Sequence, residues 1–307
     1  MSRNISLSEF ITFWLETFKK NEVKPSSYSR LQLSSGLLSR SEIAGVLLAD
    51  LTPLDVQRYV NELAAQKYSF STIKKQLELI KASMRKAVSM KLIRDNPASE
   101  IGLPNKKLVK KPRNVQAYNE IEQGKLLAEI GRHTDDDAYL CIAFMIETGL
   151  RAGEALALRW SDVNIVSHRC RIHATIANPH NPALSYVQDS PKTDASIRTV
   201  PLTPKATEIL NRLNARKQCE FVFERAGRRL EYQELIRAVK RLCEATGVPY
   251  RGAHVFRHTF ATNCYYKGID VKILSRLLGH SDVKVTYNTY INLYGDGFDD
   301  LYTALCM

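Results

Sequence analysis

Apolar residues recur at helical spacing from Leu7 to Phe18 (Phe10, Ile11, Trp14, Leu15, Phe18), and Ser6 or Ser8 can cap the start. A second helix is predicted over "LTPLDVQRYVNELAAQ", with Thr52 as N-cap and Pro53 at the first helical position. A long third helix is predicted over "SFSTIKKQLELIKASMRKAVSMKLI", where Ile73, Leu77, Ile80, Met84 and Val88 form the buried stripe. Lys74, Lys81 and Arg85 fall on another face of it, with Lys75 and Lys86 beside them. That face is either simply solvated or turned toward a polyanion. The first hundred residues therefore read as all-helical.

The pattern breaks at "NPASEIGLPNKKLVKKPRNV", which is rich in proline and lysine and reads as an extended basic connection. Beyond it, helical patterns frame a short β segment. "CRIHATI", "LSYVQDS" and "IRTVPL" carry strand-like stretches, and "SPKTDAS" is a turn between the last two. Helices resume at "TPKATEILNRLNARK", "LEYQELIRAVKRLCEATG", "GAHVFRHTFATNCYYKG" and "VKILSRLLGH". The expected division is a helical domain at 1–104, a basic linker at 105–113 and a second domain at 114–307. The fold class expected is mainly α, with one small antiparallel sheet in the second domain.

Composition narrows the function. The 307 residues suffice for two domains, and 44% hydrophobic with 25% charged is the balance of a globular chain. No apolar run is long enough to span a bilayer, and the N-terminus has no continuous apolar h-region. Six cysteines without a CxxC read as reduced thiols, which places the expected compartment in the cytoplasm. The net charge of +12 suits a polyanion. Residues 1–110 hold 18 Lys/Arg against 10 Asp/Glu, so +8 of the total; the remaining 26 against 22 contribute +4.

Four separated segments each offer groups suited to phosphate chemistry. In "ETGLRAGEALALRW" a glycine turn delivers Arg151 to a helix start, with Glu154 one turn on to fix its guanidinium. An ordinary surface ion pair explains that segment equally well. In "SPKTDASIRT" Lys192 sits in the turn, where lysines are usually just solvated. In "HVFRHTFAT" His254 and Arg257 share a helix face, so both can reach one anion. His254 and His258 have zinc-ligand spacing, but neither a glutamate base nor a third ligand accompanies them, so no metal site is expected. In "LLGHSDVKVTYNTY" Gly279 ends a helix, Ser281 or Asp282 starts another, and His280 lies at the corner. Tyr287, Tyr290 and Tyr294 then follow along one helix face, a pattern that is more often packing than chemistry.

Together and in this order, "TGLRAGEALALRW", "PKTDASIRTVPL", "HVFRHTFAT" and "LGHSDVKVTYNTY" resemble the tyrosine recombinases, the integrases of phages and conjugative transposons. The resemblance covers nearly the whole chain. It implies that Arg151, Lys192, His254, Arg257 and His280 are active-site residues, that Glu154 supports Arg151, and that Tyr290 is the nucleophile. It implies that the N-terminal helices form a core-binding domain which closes with the catalytic domain around DNA, with Lys74, Lys75, Lys81 and Arg85 as candidate DNA contacts. It further implies a 3′-phosphotyrosine intermediate on double-stranded DNA with specific sites, a homo-oligomer (a tetramer) on that DNA, and accessory bending or excision factors. A small arm-binding domain precedes the core-binding domain in many integrases; this sequence starts at the latter, so the protein either works without arm sites or is a fragment.

The chemistry agrees with that assignment. A phenol of pKa near 10 is only about 0.1% ionised at pH 7 and needs a base or a positive field to attack phosphorus. Arg151, Arg257 and His280 suit the nonbridging oxygens, where negative charge builds in the transition state. Lys192 suits protonation of the leaving 5′ oxygen, and His254 suits either the phenolic proton or a phosphate contact. Because a phosphotyrosine bond retains the phosphodiester energy, no metal, nucleotide or other cofactor is expected. A type IB topoisomerase would use the same cleavage step, and a DNA-binding protein with a decayed site is a further alternative.

Overall fold

The computed structural model describes residues 4–106, 109, 116–177, 185–189 and 197–287 apart from Val285. It divides into two compact units, Met1–Asn114 and Val115–Met307. Among the described residues no helix is long and apolar enough to cross a membrane.

The first unit is helical. Helix α1 (Leu7–Trp14) opens at Ser6, whose hydroxyl accepts from the Glu9 amide while the Glu9 carboxylate accepts from the Ser6 amide. The expected helix to Phe18 changes pitch rather than ending: Leu15–Lys19 is a π-helical turn. Helix α2 (Pro25–Leu38) has no counterpart in the apolar pattern, because Leu38 is its only fully buried residue. Helix α3 (Pro53–Ala65) starts at Thr52 and Pro53 as expected. Helix α4 (Phe70–Ser89) stops four residues short of the predicted end, where Lys91 takes a left-handed conformation, φ 58°. Ile73, Leu77, Ile80 and Met84 of its stripe are buried. Gln76 ties three helices through buried polar contacts, accepting from the Tyr59 hydroxyl at 3.0 Å and donating to Ser34 O at 3.1 Å.

The described part of the expected basic connection begins as packed structure. Ala98 and Ile101 are buried, and Asn96 donates to the Lys81 carbonyl. Lys81 in turn donates to Ile101 O at 3.1 Å.

In the second unit, α5 (Glu120–Arg132) and α6 (Asp137–Thr148) precede the short α7 (Ala152–Leu156). Helix α6 is apolar on all sides and buried from Ala138 to Ile146, the mark of a central helix. It packs against α8 (Pro204–Asn214), α9 (Tyr232–Thr246) and α10 (His254–Tyr266). Helix α11 (Val271–Leu278) follows α10 and shares a small apolar cluster with it.

Among the described residues, the expected single sheet is three small antiparallel ones. Strands β1 (Val163–Asn164), β2 (Arg169–Ile172) and β5 (Arg198–Pro201) form one, with Cys170 opposite Val200. Strands β3 (Thr175–Ala177) and β4 (Tyr186–Gln188) form the second, with Ile176 opposite Val187. The stretch "CRIHATI" is thus split between two sheets. A third, β6 (Glu224–Arg225) with β7 (Arg228–Arg229), closes through Ala226 and Gly227, both at positive φ.

Candidate active site

Helix α6 ends at Gly149, which adopts φ 67°. A side chain there is excluded twice: the left-handed backbone strains it, and a Cβ would lie 2.3 Å from the Phe260 ring. The turn that follows makes Arg151 the N-cap of α7. Helix α7 lies hard against β3, since a Cβ on Gly153 would meet Thr175 Oγ1 at 2.7 Å.

Glu154, one turn into α7 and 5% exposed, is the hub. Its carboxylate accepts from Arg151 Nη1 at 2.7 Å and from the Arg151 amide at 2.9 Å. It also accepts from Arg198 Nη2 at 2.8 Å and Nη1 at 3.2 Å. Burial pushes the carboxyl pKa up, but the charges of Arg198, Arg151 and Arg257 outweigh it and bring the pKa down to about 2.

Arg257, on α10, is 2% exposed. It donates to Gly149 O at 3.3 Å and to Leu278 O at 2.6 Å. Arg198, at the start of β5, donates through Nε to Leu277 O at 2.7 Å. Two guanidinium groups therefore satisfy the last carbonyls of α11, groups that a helix end leaves without internal partners. Gly279, φ 68°, then turns the chain, and the His280 amide closes back on Ser275 O. His280 is placed at the corner expected for it.

The histidines are neutral at pH 7. Burial, then the charges of Arg257 and Arg151, hold His280 down to about 3. Desolvation, His258, Arg257 and Arg151 hold His254 down to about 4, although the His254 residue is exposed overall and water offsets part of that effect. His258 packs edge to face on His254, with centroids 5.0 Å apart. Three guanidinium groups against one carboxylate leave two net positive charges here. That excess, next to two neutral imidazoles, is suited to an anion.

Of the residues expected from sequence, Arg151, Glu154, His254, Arg257 and His280 meet in one place. Lys192 and Tyr290 lie outside the described residues. Asp282 Oδ1 accepts from the Lys284 amide at 2.8 Å, and the chain is helical again by residues 283 and 284. Tyr287, in that helical segment, is 54% exposed. On α4, Lys74, Lys75 and Arg85 are exposed, whereas Lys81 is tethered to Ile101 O. Arg198 was not among the expected residues. Within "IRTVPL" it reads as an ordinary outward strand arginine, and only the fold brings it under Glu154.

A family scan matches residues 117–295 to the phage integrase family. A tyrosine recombinase XerC-like protein of Caldanaerobacter subterraneus is 28% identical over 95% of this chain and 80% of its own. Among solved structures, the Tn1549 transposon integrase in complex with a circular intermediate DNA is similar over 98% of both chains (TM-score 0.79, 17% identity). The lambda integrase tetramer bound to a Holliday junction is similar over 91% of this chain and 79% of that one (TM-score 0.71, 16% identity).

Proposed function

The chain belongs to the phage integrase family, the tyrosine-type site-specific DNA recombinases, and from that premise we propose how its own residues carry the reaction. Arg151, Arg257 and His280 bind the nonbridging oxygens of one DNA phosphodiester. Glu154, shared with Arg198, holds the Arg151 fork in place. Tyr290 Oη attacks phosphorus, the new bond to the 3′ phosphate forms, and the bond to the 5′ oxygen breaks. Lys192 gives the leaving oxygen its proton. His254, neutral and so carrying a ring lone pair, takes the phenolic proton, and the bound phosphate's negative charge raises its basicity for that task. Reversal of these transfers, with a 5′ hydroxyl from another strand, reseals the DNA and completes an exchange.

The observation that supports this reading best is that Arg151, Arg257, His254 and His280, from three distant stretches of chain, lie near enough for the arginine charges to act on both imidazoles, with Arg151 fixed by the buried Glu154 carboxylate. Structural ion pairs alone do not require two uncharged histidines, His280 among them partly buried, beside them.

Double-stranded DNA is the substrate and an oligomer on DNA is the working form. A tetramer, assisted by bending or excision factors, is the assembly proposed, acting in the cytoplasm. The exposed Lys74, Lys75 and Arg85 of α4 are proposed backbone contacts of a core-binding unit within residues 1–104. The test is strand transfer between two duplexes that carry the ends of the mobile element flanking the gene. Joined products are expected. Relaxation of plasmids at any sequence, with no joined product, would instead favour the topoisomerase alternative.

A further inference from the structure

Thr286 is fully buried, and its Oγ1 lies 2.7 Å from His280 Nδ1. A helical threonine can satisfy its hydroxyl by donating to the carbonyl three or four residues back. Thr148, Thr246 and Thr259 of this chain do so, to Phe144, Leu242 and Val255 at 2.6, 2.7 and 2.9 Å. Thr286 is also helical, with Asp282 four residues back, yet its hydroxyl faces the imidazole instead.

We propose that Thr286 is a positioning residue: it donates its hydroxyl proton to His280 Nδ1 and thereby keeps the ring's own N–H on Nε2, where it can be given to a phosphate oxygen. The catalytic part of this rests on the recombinase reading above; the tautomer assignment does not. With Nδ1 as acceptor, the buried hydroxyl proton has a partner. With the proton on Nδ1, the Thr286 hydroxyl proton would have no acceptor among the described residues, and Nε2 would turn a lone pair toward an anion. Burial first, and then the neighbouring arginines, keep the ring neutral at pH 7, so it carries one proton and the choice of nitrogen decides whether it donates. The His280 backbone is already fixed by its bond to Ser275 O. Thr286 fixes the remaining freedom, the rotation and protonation of the ring.

The test compares Thr286→Val, which keeps the shape and deletes the hydroxyl, with Thr286→Ser, which keeps the hydroxyl. Cleavage of a nicked suicide duplex is measured in single turnover, alone and in a His280→Gln background. Removing the partner that orients a metal-bound histidine typically costs about 10- to 100-fold, and a loss of that order is the expectation for a histidine oriented in the same way here. Thr286→Val is expected to fall in that range with DNA affinity unchanged, and Thr286→Ser to restore most of the rate. In the His280→Gln background the valine change should cost less than about 2-fold, because a residue acting through His280 has nothing left to act on. Nitrogen chemical shifts of the 15N-labelled His280 ring, at neutral pH, should show a bare Nδ1 and a protonated Nε2 in the wild-type protein. A protonated Nδ1 would overturn the proposal, as would equal slowing in both backgrounds or wild-type speed in Thr286→Val. A wild-type protein that cleaves no duplex would sink the recombinase reading, and the ring shifts would still decide the tautomer.

Discussion

Glu154 accepts hydrogen bonds from two arginines and is nearly sealed from water, so its charge is needed in the folded state. Its folded pKa of about 2 lies below the ordinary 4.5. Between those values the unfolded chain binds a proton that the folded chain does not, so stability falls as pH drops through that window. Fully realised above pH 4.5, the effect is on the order of 3 kcal/mol. His254 and His280 act in the same direction at higher pH: both are held below 6.5, so unfolding takes up protons as pH falls below that value. Glu154→Gln should therefore lower stability at pH 7 by roughly 3 kcal/mol and flatten the dependence between pH 4.5 and 2. Urea unfolding across that range measures both; an unchanged midpoint at pH 7 would mean the carboxylate is not the hub. At this scale the sequence revealed the residues with a spacing of their own. Arg151 and Glu154 sit one helical turn apart, and His254 and Arg257 do too. Arg198 and Thr286 were hidden because their partners, Glu154 and His280, are set by a strand crossing and a helix corner rather than by local period.

Among the elements, those with an apolar stripe and a cap were legible: α1 behind Ser6, α3 behind Thr52 and Pro53, and the buried face of α4. Helix α2 was not, because a run such as "PSSYSRLQLSSG" has almost no apolar period and is helical through its neighbours. The division of "CRIHATI" between two sheets was equally invisible, since strand pairing depends on distant partners. The most consequential local signal was Gly149. It ends α6, starts the turn to Arg151, and offers the carbonyl that Arg257 holds. Gly149→Ala adds a left-handed strain and drives a Cβ into the Phe260 ring. It should destabilise the second unit by about 2–4 kcal/mol and weaken cleavage even where the protein stays folded. Thermal unfolding and single-turnover cleavage check this; a variant as stable as wild type would show that the turn tolerates a side chain.

For the molecule as a whole, charge and motif order were the informative signals. Two thirds of the +12 excess lies in the first 110 residues, +8 against +4. If that unit neutralises six or more phosphates, affinity for a cognate duplex should drop about 1,000-fold or more between 50 and 200 mM salt. Replacing Lys74, Lys75 and Arg85 by glutamine should lower the salt slope by roughly one for each phosphate left without its cation. A slope unchanged by the triple replacement would remove that face of α4 from the interface. The four phosphate-seeking segments were each ambiguous, and their joint order pointed to the family that residues 117–295 match. Nothing in the sequence spacing could choose among Tyr287, Tyr290 and Tyr294, which recur three and four residues apart; the family motif selects Tyr290. The most direct measurement is therefore mass spectrometry of the covalent adduct trapped on a nicked suicide duplex. The account predicts a phosphotyrosyl nucleotide on the peptide at Tyr290, absent in Tyr290→Phe and retained in Tyr287→Phe and Tyr294→Phe. An adduct mapped to Tyr287, or none on any cognate duplex, would contradict it.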